Sequence, residues 1–356
     1  MKDKTKLGIA IGVLVTFIIG LALYCMPNPK VMFVENTQQS TTQESIRETE
    51  SEISSESVEK IEEKAVKKRQ KSMEEKQDVM KADLAEMDAY GLYYDYPNLS
   101  LVDTVKAYLD EFGIDYKSIA FSYKDIDTNE TFSMNDTQPM TAGSTYKLPL
   151  NMLVVDEVEA GRLSLDEAFD ITGTTYEYKG EHDTYVSVFG GAMTIPQMQK
   201  YSLQYSENTP AYALADRVGG IEAAYAMFGR YGQSKADTKT IDLNNKTTTD
   251  YYIQVLEYLW NDREKYRDLI MYLGYSFPDE YYKTFVKVPV YQKPGYVREA
   301  LNVCAIVEEN KPYLVSIYTA GLGGSTIHST EVSGVGAYQL GALAYVINEW
   351  HRVNMN

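Results

Sequence analysis

Ser144 stands three residues before Lys147, where a turn gives way to an apolar helical repeat of Leu148, Met152, Val155 and Val158. Residues three apart share one face of a helix, so the hydroxyl and the amine can meet. Gly161 is placed to stop that helix. The unpaired N–H groups at its start favour the negative charge of an oxyanion forming beside Ser144. A buried amine beside a second cation loses its proton near neutral pH and serves as a base. The chemistry this suggests is attack by an activated serine. Spacing alone carries little, because Ser57 and Lys60 share it in a charged stretch with no sign of a site. Two further groups add weight: Ser206-Glu207-Asn208 in a helical region, and Lys293-Pro294-Gly295 on or beside a late strand.

The elements that must position these residues lie after Ala89. Ser100 to Phe112 reads as a helix, with Leu101, Val105, Tyr108 and Leu109 on one side and Ser100 as its cap. Ser118–Asp125 and Thr131–Met134 read as strands joined by a polar turn. Ser144 to about Trp260 is mostly helical. Strands return at Lys287–Tyr291, Ala300–Val307 and Tyr313–Tyr318, and a helix closes the chain from Val335 to Arg352. The fold class this predicts is α/β of the α+β type, an antiparallel sheet flanked by helices plus a helical lobe.

Before Tyr90 the texture changes. Leu7 to Met26 carries no charge, about the ~20 residues that cross a bilayer. Lys2, Lys4 and Lys6 precede it, which keeps the N-terminus cytoplasmic and puts the rest outside. No small-x-small cleavage pattern follows, so an uncleaved anchor is expected, and bulky Tyr24 speaks against a lipid-modified Cys25. Glu35 to Ala89 has no aromatic, Gly or Pro. Its first part reads as disordered, and Val58 to Met87 as a helical spacer with a broken heptad. The division expected is 1–29 anchor, 30–89 acidic stalk and 90–356 catalytic domain.

A formal charge of −17 argues against nucleic acid and anionic lipid as partners. With two cysteines, Cys25 and Cys304, a disulfide framework is not expected, and Cys304 reads as a small buried residue. His182, His328 and His351 lie in no nucleophile setting, which sets aside a Ser-His-Asp triad. No zinc-ligand spacing occurs, so neither metal nor cofactor is expected. The Tyr-rich segments, among them Tyr251-Tyr252 and Tyr281-Tyr282, read as packing.

The order of the three groups, Ser-x-x-Lys at a helix start, Ser-x-Asn in a helical lobe and Lys-x-Gly on a late strand, resembles the class A β-lactamases and related penicillin-recognising serine enzymes. The likeness runs from about Tyr90 to Asn356. It includes Gly161-Arg162-Leu163-Ser164-Leu165-Asp166-Glu167, Gly219-Gly220 and Thr247-Thr248-Thr249. The resemblance implies a β-lactamase/transpeptidase-like fold with Ser144 as the acylated nucleophile and Lys147 as its proton acceptor or relay. It implies that Ser206 passes a proton to the leaving nitrogen, that Asn208 holds Lys147 and the substrate amide, and that Lys293 sets the local potential. The N–H groups of Ser144 and Tyr296 would form the oxyanion hole, with Gly295 beside the substrate.

Three positions depart from the family pattern. Glu207 stands for the usual Asp. Pro294 replaces a Thr or Ser that would contact a substrate carboxylate, a role Arg298 can take. The loop that should carry a deacylating Glu before an Asn reads Thr240-Ile241-Asp242-Leu243-Asn244 and is shortened. Matching on Leu243-Asn244 puts Thr240 at the general-base position. Asp242 is the nearest carboxylate, and Asp237 is a weaker candidate.

Three readings follow. The first is a membrane-anchored, extracellular β-lactamase-like hydrolase with slow release. The second is a penicillin-binding, D-Ala-D-Ala peptidase-like cell-wall enzyme. The third is a non-catalytic module that keeps the cleft, which the retained Ser144, Lys147, Ser206, Asn208 and Lys293 oppose. The partners expected are a small β-lactam or cell-wall peptide and the membrane, with the catalytic domain monomeric.

Overall fold

A central sheet with both faces covered positions the site. The computed structural model describes residues 71–174, 179–323 and 332–355. The strands are β1 (Ile119–Asp125), β2 (Thr131–Met134), β3 (Val290–Val297), β4 (Ala300–Val307) and β5 (Tyr313–Thr319), in the spatial order β2-β1-β5-β4-β3. Every pairing in the sheet is antiparallel. All eight residues of β4 are buried. A strand covered on both faces reads as a continuous apolar run rather than an alternation, as Ala-Leu-Asn-Val-Cys-Ala-Ile-Val does.

The helices are α1 (Met73–Tyr90), α2 (Leu101–Glu111), α3 (Lys147–Glu159), α4 (Lys179–Val188), α5 (Ile195–Gln204), α6 (Asn208–Arg217), α7 (Ile221–Met227), α8 (Thr249–Asn261), α9 (Arg267–Gly274) and α10 (Gly334–Asn354). Two cores meet at the sheet. Phe121, Tyr123, Val303, Ala305, Val315 and Ile317 face one core with α2 and α10. Ala120, Cys304, Ile306, Leu314 and Tyr318 face the other with the lobe helices. Successive side chains on a strand point to opposite faces, so one sheet serves both cores.

The expected strands and helices correspond closely, with two differences. The strand expected at Lys287–Tyr291 is Val290–Val297, so Lys293-Pro294-Gly295 lies within it. Proline has no N–H to give a ladder, and it is accommodated because β3 is the edge strand. The second difference concerns the stalk. Residues 73–89, assigned to it by composition, form α1 together with Tyr90, and this helix belongs to the same compact unit as the sheet. Its anchors escape a heptad count because the apolar ones, Val79, Met80, Met87 and Tyr90, are interleaved with polar ones. Arg352 on α10 pairs with Asp83 at 3.0 Å, Lys71 donates to the Arg352 carbonyl at 2.6 Å, and Met87 is buried. Ser72 and Glu75 form a capping box, and Gly91 ends the helix at φ 67°.

Among the described residues no helix is long and apolar enough to cross a membrane. Leu7–Met26, Cys25 and His328 lie outside the described residues.

Candidate active site

Ser144 sits in a 3₁₀ turn, Gly143–Tyr146, that runs directly into α3. Residues i and i+3 eclipse in a 3₁₀ helix, which aligns Ser144 with Lys147 more closely than an α-helix would. The turn is clamped from three sides. The Ala142 N–H donates to the Asn245 carbonyl and the Gly143 N–H to Asn245 Oδ1, each at 2.7 Å. Asn302 on β4 donates to the Thr141 carbonyl at 2.7 Å, and Tyr318 on β5 donates to Thr145 Oγ1 at 2.6 Å. Met140–Thr141 also pairs with Lys246–Thr247 as a two-residue ladder.

Glycine is required where β3 lies on this turn. A Cβ at Gly295 would meet the Ala142 carbonyl oxygen at 2.4 Å. Gly143 has φ 57°, and a Cβ there would meet the Tyr296 nitrogen at 2.9 Å. The Tyr296 amide therefore lies against the turn that holds Ser144, which brings both sequence-predicted oxyanion donors to one place.

Two lysines meet at Ser206. Lys147 Nζ donates to the Ser206 carbonyl and, at 2.8 Å, to Asn208 Oδ1. Lys293 Nζ donates to Ser206 Oγ at 2.7 Å and to the Pro294 carbonyl at 2.9 Å. Ser206 reaches both by adopting φ 59°, a left-handed conformation that costs a non-glycine residue on the order of 1–3 kcal/mol. Both amines are fully buried. Burial brings Lys147 down to about 7, against an upward pull from Glu181 and Glu207. Burial, and then the charge of Lys147, holds Lys293 well below the ordinary lysine range. Ser144 Oγ is half-buried and makes no hydrogen bond among the described residues, a looseness common in unliganded catalytic sites.

The structure thus gathers Ser144, Lys147, Ser206, Asn208, Lys293, Gly295 and Tyr296. Arg298 stands apart, exposed on the β3–β4 hairpin with φ 51°. Asp242 is turned into its own loop, where its Oδ1 accepts from the Asn244 and Lys246 N–H groups at 2.8 and 2.9 Å. With Thr240 and Ile241 it lines a cavity of about 500 Å³. Asp237 is exposed. The Asn that reaches the nucleophile turn is Asn245, not Asn244, which is exposed. Ile241, four residues before Asn245, is apolar and 5% exposed.

Sequence reasoning missed Asn245 and Glu181. Glu181, on α4, accepts from the Asn208 and Thr209 backbone N–H groups at 2.7 and 2.6 Å and from Asn208 Nδ2 at 3.2 Å. No motif marks it, since it reaches the site across a gap of more than twenty residues. Burial and the nearby Glu181 charge raise Glu207 to about 7. Cys304 is buried and free, with Sγ 3.4 Å from the Lys293 carbonyl. His182 contacts the Ile171 carbonyl and His351 the Tyr123 hydroxyl, both away from Ser144. Among the described residues no group of His, Cys, Asp or Glu gathers as a metal site.

The profile of the beta-lactamase enzyme family matches residues 100–337, more than half of the chain. Among solved structures, an ancestral class A β-lactamase superimposes with a TM-score of 0.60 at 18% identity, over 70% of this chain and 99% of that one. The class A β-lactamase of the last common ancestor of Gram-negative bacteria gives 0.58 at 18% identity, over 70% and 98%. A β-lactamase from Xanthomonas campestris pv. campestris gives 0.57 at 17% identity, over 70% and 97%. No curated protein matches by sequence. At such identities the structural likeness carries the fold, while the family profile, covering the Ser144, Ser206 and Lys293 motifs in order, carries membership. This chain belongs to the beta-lactamase enzyme family.

Proposed function

We propose that the domain is a serine hydrolase that forms an acyl-enzyme on Ser144 with β-lactams or related amides and releases it slowly. The observation that carries this is the pair of buried lysines on either side of Ser206. At neutral pH a Lys147 near 7 is substantially neutral and can take the Ser144 proton as Oγ attacks the carbonyl carbon. The amides of Ser144 and Tyr296 then face the developing oxyanion. Ser206 Oγ, which accepts from Lys293, is placed to hand its proton to the leaving nitrogen as the C–N bond breaks, and the proton that Lys147 took from Ser144 replaces it, so the net transfer is from Ser144 to that nitrogen. Arg298 is the cation available for a substrate carboxylate, in place of the hydroxyl that Pro294 lacks.

Release needs a base that activates water, and Asp242 is committed to its own loop. This favours a long-lived adduct and leaves open the second reading, a penicillin-binding, peptidase-like cell-wall enzyme. A fluorescent penicillin should label the full chain, and Ser144→Ala should abolish labelling. Equal labelling of the variant would mean the nucleophile is another residue.

We also propose that Leu7–Met26 anchors the chain in the membrane with the catalytic domain outside. Protease added to intact cells should then shed the domain, and protection until lysis would reverse the orientation.

A further inference from the structure

Asn208 has to present the correct end of its amide to Lys147, and an amide side chain has two nearly isosteric ends. Lys147 can only donate hydrogen bonds, and an ionised carboxylate can only accept them. Lys147 therefore selects the oxygen of Asn208, at 2.8 Å, and Glu181 selects the nitrogen, at 3.2 Å. The other Glu181 oxygen accepts the first two N–H groups of α6, from Asn208 and Thr209 at 2.7 and 2.6 Å, which fixes the backbone from which Asn208 projects.

Charged groups approach Lys147 from several elements. Glu181 comes from α4, Glu207 from the residue before α6, and Lys293 from β3. The Tyr146 ring lies 5.9 Å from the amine on the preceding turn. Of the two carboxylates, Glu207 makes no side-chain cap bond to α6, whereas Glu181 is bound to that helix through both oxygens.

We infer that Glu181 is a positioning residue of this site, which locks the Asn208 amide with its oxygen toward Lys147 and sets a negative charge within range of that amine. This rests on the reading that Ser144 is acylated with Lys147 as proton acceptor. A negative charge favours the protonated amine, so Glu181 keeps the proton on Lys147 to higher pH than burial alone would. Removing the charge makes Lys147 neutral, and so active as an acceptor, at lower pH. A residue that served only as a helix cap would lower the rate at every pH without moving the titration.

The test compares the full chain with Glu181→Gln and Glu181→Ala in two measurements. The first is the titration of Lys147, followed by NMR on ¹³C-labelled lysine and assigned by the resonance lost in Lys147→Met. The second is the pH profile of Ser144 acylation by a chromogenic penicillin. The Lys147 midpoint should fall in Glu181→Gln, by less than the ~1–3 pH units of a directly adjacent opposite charge because the Asn208 amide stands between them. The acid limb of acylation should move the same way. An unmoved midpoint in a folded Glu181→Gln overturns the inference. If that variant does not fold, Glu181→Asp, which withdraws the charge by one methylene, should shift the midpoint less but in the same direction, and no shift there overturns it equally. The functional reading fails separately, if the wild-type chain is never acylated while the Lys147 midpoint still responds to Glu181.

Discussion

The turn that carries Ser144 and the loop at residues 240–245 are joined through Asn245 but use their polar groups differently. The turn is tied outward to three other elements through Asn245, Asn302 and Tyr318, and its lysine bonds cross to a fourth. The loop's carboxylate is tied inward, with Asp242 capping the two backbone amides of its own bend. Acylation needs a nucleophile, an acceptor and an oxyanion site held in register, and the proposed function places all three in the first region. Deacylation needs a carboxylate aimed at water beside the ester, and in the second region one oxygen of Asp242 is taken up by the loop's own amides. On the proposed function, pre-organisation in this molecule serves one half of a two-step reaction.

Ways to break the comparison start with the acceptor. Lys147→Ala should slow acylation by at least the ~10²-fold lost with a positioned general base. In the wild-type chain the acylation rate should climb with pH through about 7, because burial lowers Lys147 and only its neutral form accepts a proton. Stopped-flow acylation from pH 5 to 9 checks both, and a flat profile would remove Lys147 from that role. Next comes Asn245→Ala, which strips the acceptor from the buried Gly143 N–H and should cost ~1–3 kcal/mol in denaturant unfolding. Asn244→Ala, at an exposed position, should cost far less. If the two behave alike, the outward tie of the turn is not what holds it.

The smallest effect is expected at Asp242. Asp242→Asn keeps an oxygen for both capping N–H groups, so stability and release of a pre-formed adduct should change little. A chase experiment in which release collapses in this variant would make Asp242 the deacylating base after all.

The fold was largely legible because its elements announce themselves locally. Ser100 caps α2, four apolar positions repeat at helical spacing, and β4 and β5 are short apolar runs joined by a turn at Glu309–Pro312. The three motifs of the candidate site were legible for the same reason, since each is a short contiguous string. Glu181 and Asn245 were not, because their roles exist only in the folded contacts that bring α4 to α6 and the loop to the turn. Choosing between Asn244 and Asn245 depends on a backbone at φ 58°, which no spacing rule specifies. α1 escaped for a related reason: the face it turns to α10 mixes apolar residues, Met80, Met87 and Tyr90, with the Asp83–Arg352 ion pair, so no regular heptad shows.

The central claim is that Ser144 is acylated readily and released slowly, and intact mass of the full chain after mixing with a penicillin tests it most directly. The account predicts one covalent adduct, mapped to Ser144, that forms quickly and persists long after free penicillin is removed. An adduct that disappears as fast as it forms, with penicillin consumed over many turnovers, would contradict it.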